Sequence, residues 1–205
     1  PSAVMAAMAW LARAGVVVKG SEALERLARV DTFVFDKTGT LTRGEPVMGL
    51  IKPASDSGLD ANQLLRFAGM AERSSEHLLG RLVFKEAQAR GLDLPQPCSF
   101  TALPGCGVEA RFQGDTPNDQ GPQHILVGNR KLLDQRDVAF NDADSQLIDV
   151  IIETGQAPLL VAVDGRFVGT IGITDQPRSE SSRILDTLKS SGIDHITLLS
   201  GDRQE

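Results

Sequence analysis

The chain has no tyrosine, one tryptophan, two cysteines and three histidines among 205 residues. Two thiols cannot enclose a structural zinc ion unaided, and the histidines lie far from metal-ligand spacing, so a zinc-finger type of domain is excluded. Cys98 and Cys106 read instead as two reduced cytosolic thiols. Positive charge is also short: 21 Lys and Arg stand against 27 Asp and Glu, for a net charge of −6. A nucleic-acid partner needs a basic face, and this balance argues against one. No stretch reaches the roughly 20 apolar residues that cross a bilayer. An apolar run at residues 3–12 (AVMAAMAWLA) ends at Arg13. It has no initiator methionine, basic leader or cleavage site, so it is not a signal peptide. It reads as a buried core helix or as the end of a membrane helix.

What is present is ordinary for a globular protein: 41% apolar and 23% charged residues, in a chain long enough for one large or two small domains. Residues 2–14 read as a helix stopped by Gly15, residues 16–18 as a short strand, and Ser21 as the cap of a second helix. Residues 32–35 are a continuous β-favouring run ending at Asp36, the pattern of a buried parallel strand.

After Gly44 come a strand at 46–52 and a helix from a capping box of Asp60 and Gln63 to about Glu72. A helix at 78–90 and strands at 100–103, 108–112 and 124–127 follow, with a polar loop at 114–123 and helices at 129–135 and 144–154. Asp164-Gly165 between two apolar runs predicts a hairpin. A helix at 178–190 and a buried-type strand at 196–199 lead to Ser200-Gly201-Asp202.

Two strand ends therefore carry acidic residues, Asp36 and Asp202, with about 120 residues of α+β character between them. The expected fold class is α/β: a partial Rossmann-like parallel-sheet domain interrupted by an inserted α+β domain with an antiparallel sheet.

The strongest motif is Asp36-Lys37-Thr38-Gly39-Thr40-Leu41-Thr42. A carboxylate at a strand end can attack a phosphoryl group in line. Gly39 permits a tight turn that aims N–H groups at phosphate, Thr38 and Thr40 supply hydroxyls, and Lys37 supplies positive charge. The plain alternative is a strand followed by a Thr/Gly turn. The heptamer resembles the phosphorylation signature of P-type ATPases, within the haloacid dehalogenase superfamily. That resemblance implies that Asp36 forms an aspartyl-phosphate and that Mg²⁺ is held by the Asp36 carboxylate and the Thr38 backbone carbonyl. Phosphatases of the superfamily usually carry Asp two residues after the nucleophile as a general acid/base. Thr38 stands there instead, which suits a phosphoenzyme that hydrolyses slowly by itself.

Ser75-Glu76-His77, Gly105-Cys106-Gly107 and Gly128-Asn129 follow in the insert. Singly they read as a helix cap, a turn and a helix start. Together and in this order they resemble the nucleotide-binding domain of heavy-metal (type IB) P-type ATPases. The resemblance implies that Glu76 and His77 meet the adenine of ATP, that Gly105 and Gly107 let the backbone approach the nucleotide, and that Asn129 bonds the ribose side. Leu78 replaces the proline usual after the histidine.

Asp175-Gln176-Pro177-Arg178 is either a helix cap with a surface arginine or, as the resemblance implies, the hinge where the insert rejoins the phosphorylation domain through Asp175 and Arg178. Ser200, Gly201 and Asp202 resemble the family's Thr-Gly-Asp, a phosphate contact facing the Mg-nucleotide.

The resemblance implies domains at 1–20 (end of a membrane helix and stalk), 21–47 with 168–205 (an incomplete phosphorylation domain) and 48–167 (the nucleotide-binding domain). It implies ATP and Mg²⁺ as cofactors and, as partners, an actuator domain and metal-selecting membrane helices on the same polypeptide. The chain would lie on the cytoplasmic side of a membrane protein, without binding the transported cation. Copper(I) is expected over zinc from family frequency. By itself the chain is expected to bind nucleotide with little turnover. A phosphatase of the superfamily and a non-catalytic nucleotide-binding module are the alternatives.

Overall fold

The computed structural model describes residues 2–113 and 122–199, with Lys37 and Thr38 described by their backbone alone. It divides into two compact units, one of residues 1–44 and 177–205, the other of residues 45–176. The sequence placed the divisions at 47/48 and 167/168. The second lies further along because the strand that begins at Arg166 stays buried through Ile173 in the sheet of the inserted unit.

The first unit opens with helix α1 (Ser2–Arg13) and helix α2 (Ser21–Leu27). Ser21 does not cap α2: the N-cap is Gly20, and no side chain bonds the helix start. Residues 16–18 form no strand. No described helix is long and apolar enough to cross a membrane. Strand β1 (Thr32–Asp36) pairs in parallel with β8 (His195–Leu199), in a register that sets Phe33 beside Ile196 and Asp36 beside Leu199. Alternate residues Phe33 and Phe35 turn to one face with ring centroids 5.9 Å apart. Between these strands in sequence lies helix α7 (Ser181–Ser190). It starts three residues later than expected, because Pro177 ends the preceding strand.

The second unit holds a six-stranded sheet in the order β2-β7-β6-β5-β4-β3. Its strands are β2 (Thr42–Pro53), β3 (Ser99–Leu103), β4 (Gly107–Arg111), β5 (His124–Gly128), β6 (Ala157–Val163) and β7 (Arg166–Pro177). The pairings from β3 through β7 are all antiparallel. Both faces are covered, which explains the unbroken apolar run of β5. Ile125 and Val127 pack with helix α3 (Ala61–Glu72) and helix α4 (Leu78–Ala89), while Leu126 packs on the other face with Leu132, Leu133 and Ile148. The last three belong to helix α5 (Arg130–Asp134) and helix α6 (Asp142–Glu153).

Local chemistry sets the element ends. Asp60 and Gln63 form the expected capping box on α3, and Asn141 with Asp144 forms another on α6, two residues before the expected start of that helix. Asp164 and Gly165 turn the β6–β7 hairpin with φ of 49° and 81°, the left-handed pair that a two-residue primed turn needs.

Candidate functional site

In the second unit, one cavity of about 540 Å³ gathers the motifs that the sequence scattered over more than fifty positions. Glu76, His77, Gly105, Gly107 and Asn129 all line it, with Phe100, Val108 and Leu159 as an apolar wall. Its mouth is shaped by three local devices.

The first is the start of α4. His77 is its N-cap, and Nδ1 accepts a hydrogen bond of 3.3 Å from the Leu79 N–H. The ordinary reading and the functional one therefore coincide, because the capping ring also lines the cavity. Leu78 occupies the first helical position and is 58% exposed. An N–H at that position has no helical partner in any case, so the helix begins as well with leucine as with proline.

The second is the turn between β3 and β4. Gly105 has φ of 71°, and a side chain there would meet open space. Gly107 is different. A Cβ on it would lie 2.2 Å from the Val127 carbonyl oxygen and 2.5 Å from the Gly128 Cα, so its bareness serves the close approach of β4 and β5. That requirement arises inside the protein rather than at a ligand.

The third is Asn129. Its Oδ1 accepts from the Leu132 N–H at 3.1 Å, capping α5, and its Nδ2 donates to the Gly105 carbonyl at 2.8 Å. Its backbone N–H also donates to the Cys106 carbonyl at 2.8 Å. Asn129 thus ties the glycine turn to the head of α5, and one amide hydrogen remains for a ligand.

Sequence reasoning missed Glu72. It ends α3 inside the cavity wall, 5% exposed, and its Oε2 has no hydrogen-bond partner. Burial pushes its carboxyl up to about 7, opposed in part by a hydrogen bond from Ser75. A glutamate at a helix end reads as solvated from sequence. The one available signal was Gly80 inside α4, whose missing side chain leaves room for Glu72 and Ser75.

In the first unit, Asp36 ends β1 and is exposed. Residues Lys37–Leu41 form one π-helical turn. Gly39, with φ of 77°, donates its N–H to Thr42 Oγ1 at 3.1 Å. Arg178 clasps the turn from outside: Nε donates to the Thr40 carbonyl and a terminal nitrogen to the Gly39 carbonyl, both at 3.1 Å. Its backbone N–H donates to the Leu41 carbonyl at 2.9 Å, which also accepts from Ser181 Oγ at 2.7 Å. Arg178 is therefore a clamp on the motif loop. Asp175, its expected companion, lies within β7 in the other unit. Ser200, Gly201 and Asp202 lie outside the described residues.

The chemistry of the two sites differs. The cavity is mostly apolar with a minority of hydrogen-bonding groups, among them one unsatisfied buried carboxyl oxygen, and it suits a flat heteroaromatic ring. The loop of the first unit presents a free carboxylate on a turn fixed from two sides. No group of three or more metal-ligating side chains exists among the described residues. Mg²⁺ prefers six oxygen ligands, and Asp36 with one backbone carbonyl would supply only a part of them.

Comparison with known proteins shows what the whole chain is similar to. The chain is 35% identical to a manganese-exporting P-type ATPase of Mycobacterium tuberculosis over 205 residues, all of this chain and 27% of the relative. It thus spans about a quarter of the length of such relatives. Others from Mycobacterium marinum, Mycobacterium bovis and Salmonella typhimurium are named for export of zinc, cobalt or nickel, and silver. Among solved structures, a zinc-transporting PIB-type ATPase in its E2.Pi state shares 31% identity at a TM-score of 0.70, with 98% of this chain and 30% of that chain covered. The catalytic domain of a CPx-ATPase, described as changing conformation on nucleotide binding, shares 25% identity at a TM-score of 0.60, with 92% and 61% covered. Residues 30–205 match the haloacid dehalogenase-like hydrolase family, and the chain belongs to it.

Proposed function

We propose that this chain is the ATP-binding and phosphoryl-accepting part of a heavy-metal-exporting P-type ATPase, with the unit of residues 45–176 binding nucleotide and the other unit carrying the acceptor, Asp36. The observation that carries this reading is the single cavity in which Glu72, Glu76, His77, Gly105, Gly107 and Asn129 converge. The likeness to ATP-driven metal exporters over the whole chain supports it.

In this reading the purine lies against Phe100, Val108 and Leu159, with Glu72, Glu76 and His77 at its polar edge. The Asn129 tether holds the Gly105 turn open toward the sugar. An Asp36 carboxylate oxygen attacks the γ-phosphorus, forming an acyl-phosphate bond while the bond to the bridging β–γ oxygen breaks and ADP leaves. Arg178 and Ser181 fix the loop carbonyls so that the Thr38 carbonyl and Asp36 stay in place. Asp36 and the Thr38 carbonyl would hold Mg²⁺, which when bound would supply neutralising charge for the phosphoryl oxygens, with Asp202 facing the Mg-nucleotide as a phosphate contact. Lys37, Thr38, Thr40, Ser200 and Gly201 complete the phosphate contacts. The phosphoenzyme then drives a change in the membrane part of the same polypeptide, on whose cytoplasmic side this chain lies.

The expected preference for copper(I) is dropped, because the relatives are named for manganese, zinc, cobalt or nickel, and silver. Heavy-metal export is the level the comparison supports. Calorimetric titration of ATP into this chain and into His77→Ala tests the reading. Saturable binding that His77→Ala weakens by about tenfold or more supports it, and no binding by a folded chain overturns it.

A further inference from the structure

Glu72 sits in a seat made by an absent side chain. A Cβ on Gly80 of α4 would lie 2.2 Å from Glu72 Oε2 and 2.4 Å from Ser75 Oγ, so only glycine leaves room for the carboxyl and the hydroxyl together. The protein leaves Oε2 without a hydrogen-bond partner in a nearly sealed wall, at 5% exposure. A buried polar atom of this kind is costly unless a ligand completes it.

No basic group contributes to the titration of this carboxyl. Arg73, the C-cap residue that follows it, turns its guanidinium to the Leu94 carbonyl. The other ionisable groups on the cavity wall are Glu76 and His77 from the turn before α4 and Cys106 from the β3–β4 turn. From β3, β4, β5 and β6 the wall receives only uncharged residues. His77 turns Nδ1 back to accept from the Leu79 N–H. Desolvation therefore governs Glu72, and its carboxyl is pushed up to about 7.

Resting on the nucleotide reading above, we infer that Glu72 engages the purine as the neutral acid, donating from its O–H and accepting at its carbonyl oxygen, so that this chain takes up a proton as ATP enters the cavity. Adenine offers an amino donor beside a ring-nitrogen acceptor. A carboxylic acid answers both, whereas a carboxylate answers only the amino group and sets its second lone pair against the ring nitrogen. Entry of the base also removes water from the cavity, which disfavours the ionised form further. The linkage has a definite sign: affinity is flat while the empty site is protonated, and falls about tenfold per pH unit once it is ionised. Glutamine in place of Glu72 offers the same donor and acceptor with no proton to lose.

The test is calorimetric titration of ATP into this chain and into Glu72→Gln, at pH 6 to 8.5, in two buffers of different ionisation enthalpy. The titration of ATP itself is common to both proteins and cancels in their difference. At pH 8 the unaltered chain is expected to take up about one proton more than Glu72→Gln, and its affinity to fall about fivefold more between pH 7 and pH 8. Equal proton uptake and parallel pH profiles, with both proteins binding, overturn this inference and leave the nucleotide reading standing. Loss of binding in Glu72→Gln at every pH, with no proton uptake by the unaltered chain, also overturns it, because Glu72 then acts as a carboxylate. If neither protein binds ATP at any pH while both show native circular dichroism, the nucleotide reading fails and this inference with it.

Discussion

Asn129 Nδ2 donates to the Gly105 carbonyl oxygen at 2.8 Å across 24 positions of sequence, joining the head of α5 to the glycine turn between β3 and β4. The same side chain caps α5 through Oδ1. Replacing it with alanine removes both bonds. The expected cost is about 1 kcal/mol from the cap alone, with an added loss of ATP affinity as the Gly105 turn loosens. Urea denaturation and ATP titration of Asn129→Ala read the two effects separately.

Gly80→Ala is expected to reverse the usual trend. In an exposed helix interior, alanine is about 1 kcal/mol better than glycine. Here its Cβ would meet Glu72 Oε2 at 2.2 Å and Ser75 Oγ at 2.4 Å, so the substitution destabilises α3 against α4. A lower midpoint of thermal unfolding is the expected result; a raised one contradicts the packing described.

Glu72 also gives stability a pH dependence. Its folded carboxyl is raised to about 7 from its ordinary value of 4.5, so between those values the unfolded chain releases a proton that the folded chain keeps. Stability from this group is greatest below about pH 4.5, declines through the interval and levels off above about pH 7, by on the order of 3 kcal/mol. Glu72→Gln carries no such penalty. Its stability relative to the unaltered chain is expected to rise from pH 5 to pH 8 in chemical denaturation.

Arg178 holds two carbonyls at once, on Thr40 and Gly39. Lysine is a point charge and cannot reproduce that fork. Hydrogen exchange at the Gly39 amide, which bonds Thr42 Oγ1, is expected to speed up by about tenfold or more in both Arg178→Ala and Arg178→Lys, the equivalent of ~1.4 kcal/mol or more of local opening. Unchanged exchange in Arg178→Lys would remove the fork from the account.

The elements that were legible are those whose chemistry is local. The Asp60 and Gln63 box, the Asp164-Gly165 turn and the stop of β1 at Asp36 each depend on a few adjacent residues, and each is found where the sequence put it. Residues 16–18 fail as a strand for the opposite reason: β propensity without a neighbouring strand to bond makes no ladder. Helix α6 begins at Asp142 because Asn141 reaches the Asp144 N–H, a cap that the apolar pattern alone does not reveal. Glu72 was invisible since only the tertiary fold, through Gly80, turns a helix-end glutamate inward. His77 and Asn129 line the cavity and also start helices, as the plain reading of their stretches had it, because one side chain can cap a helix and still face the cavity.

The most direct measurement is amide NMR of this chain during titration with ATP. The account predicts saturable shifts concentrated at residues 72–79, 105–108 and 128–129, the wall of the cavity. Absence of saturable shifts would contradict it. So would shifts centred on the separate cavity of about 580 Å³ beside Asp56, Phe140 and Asp164.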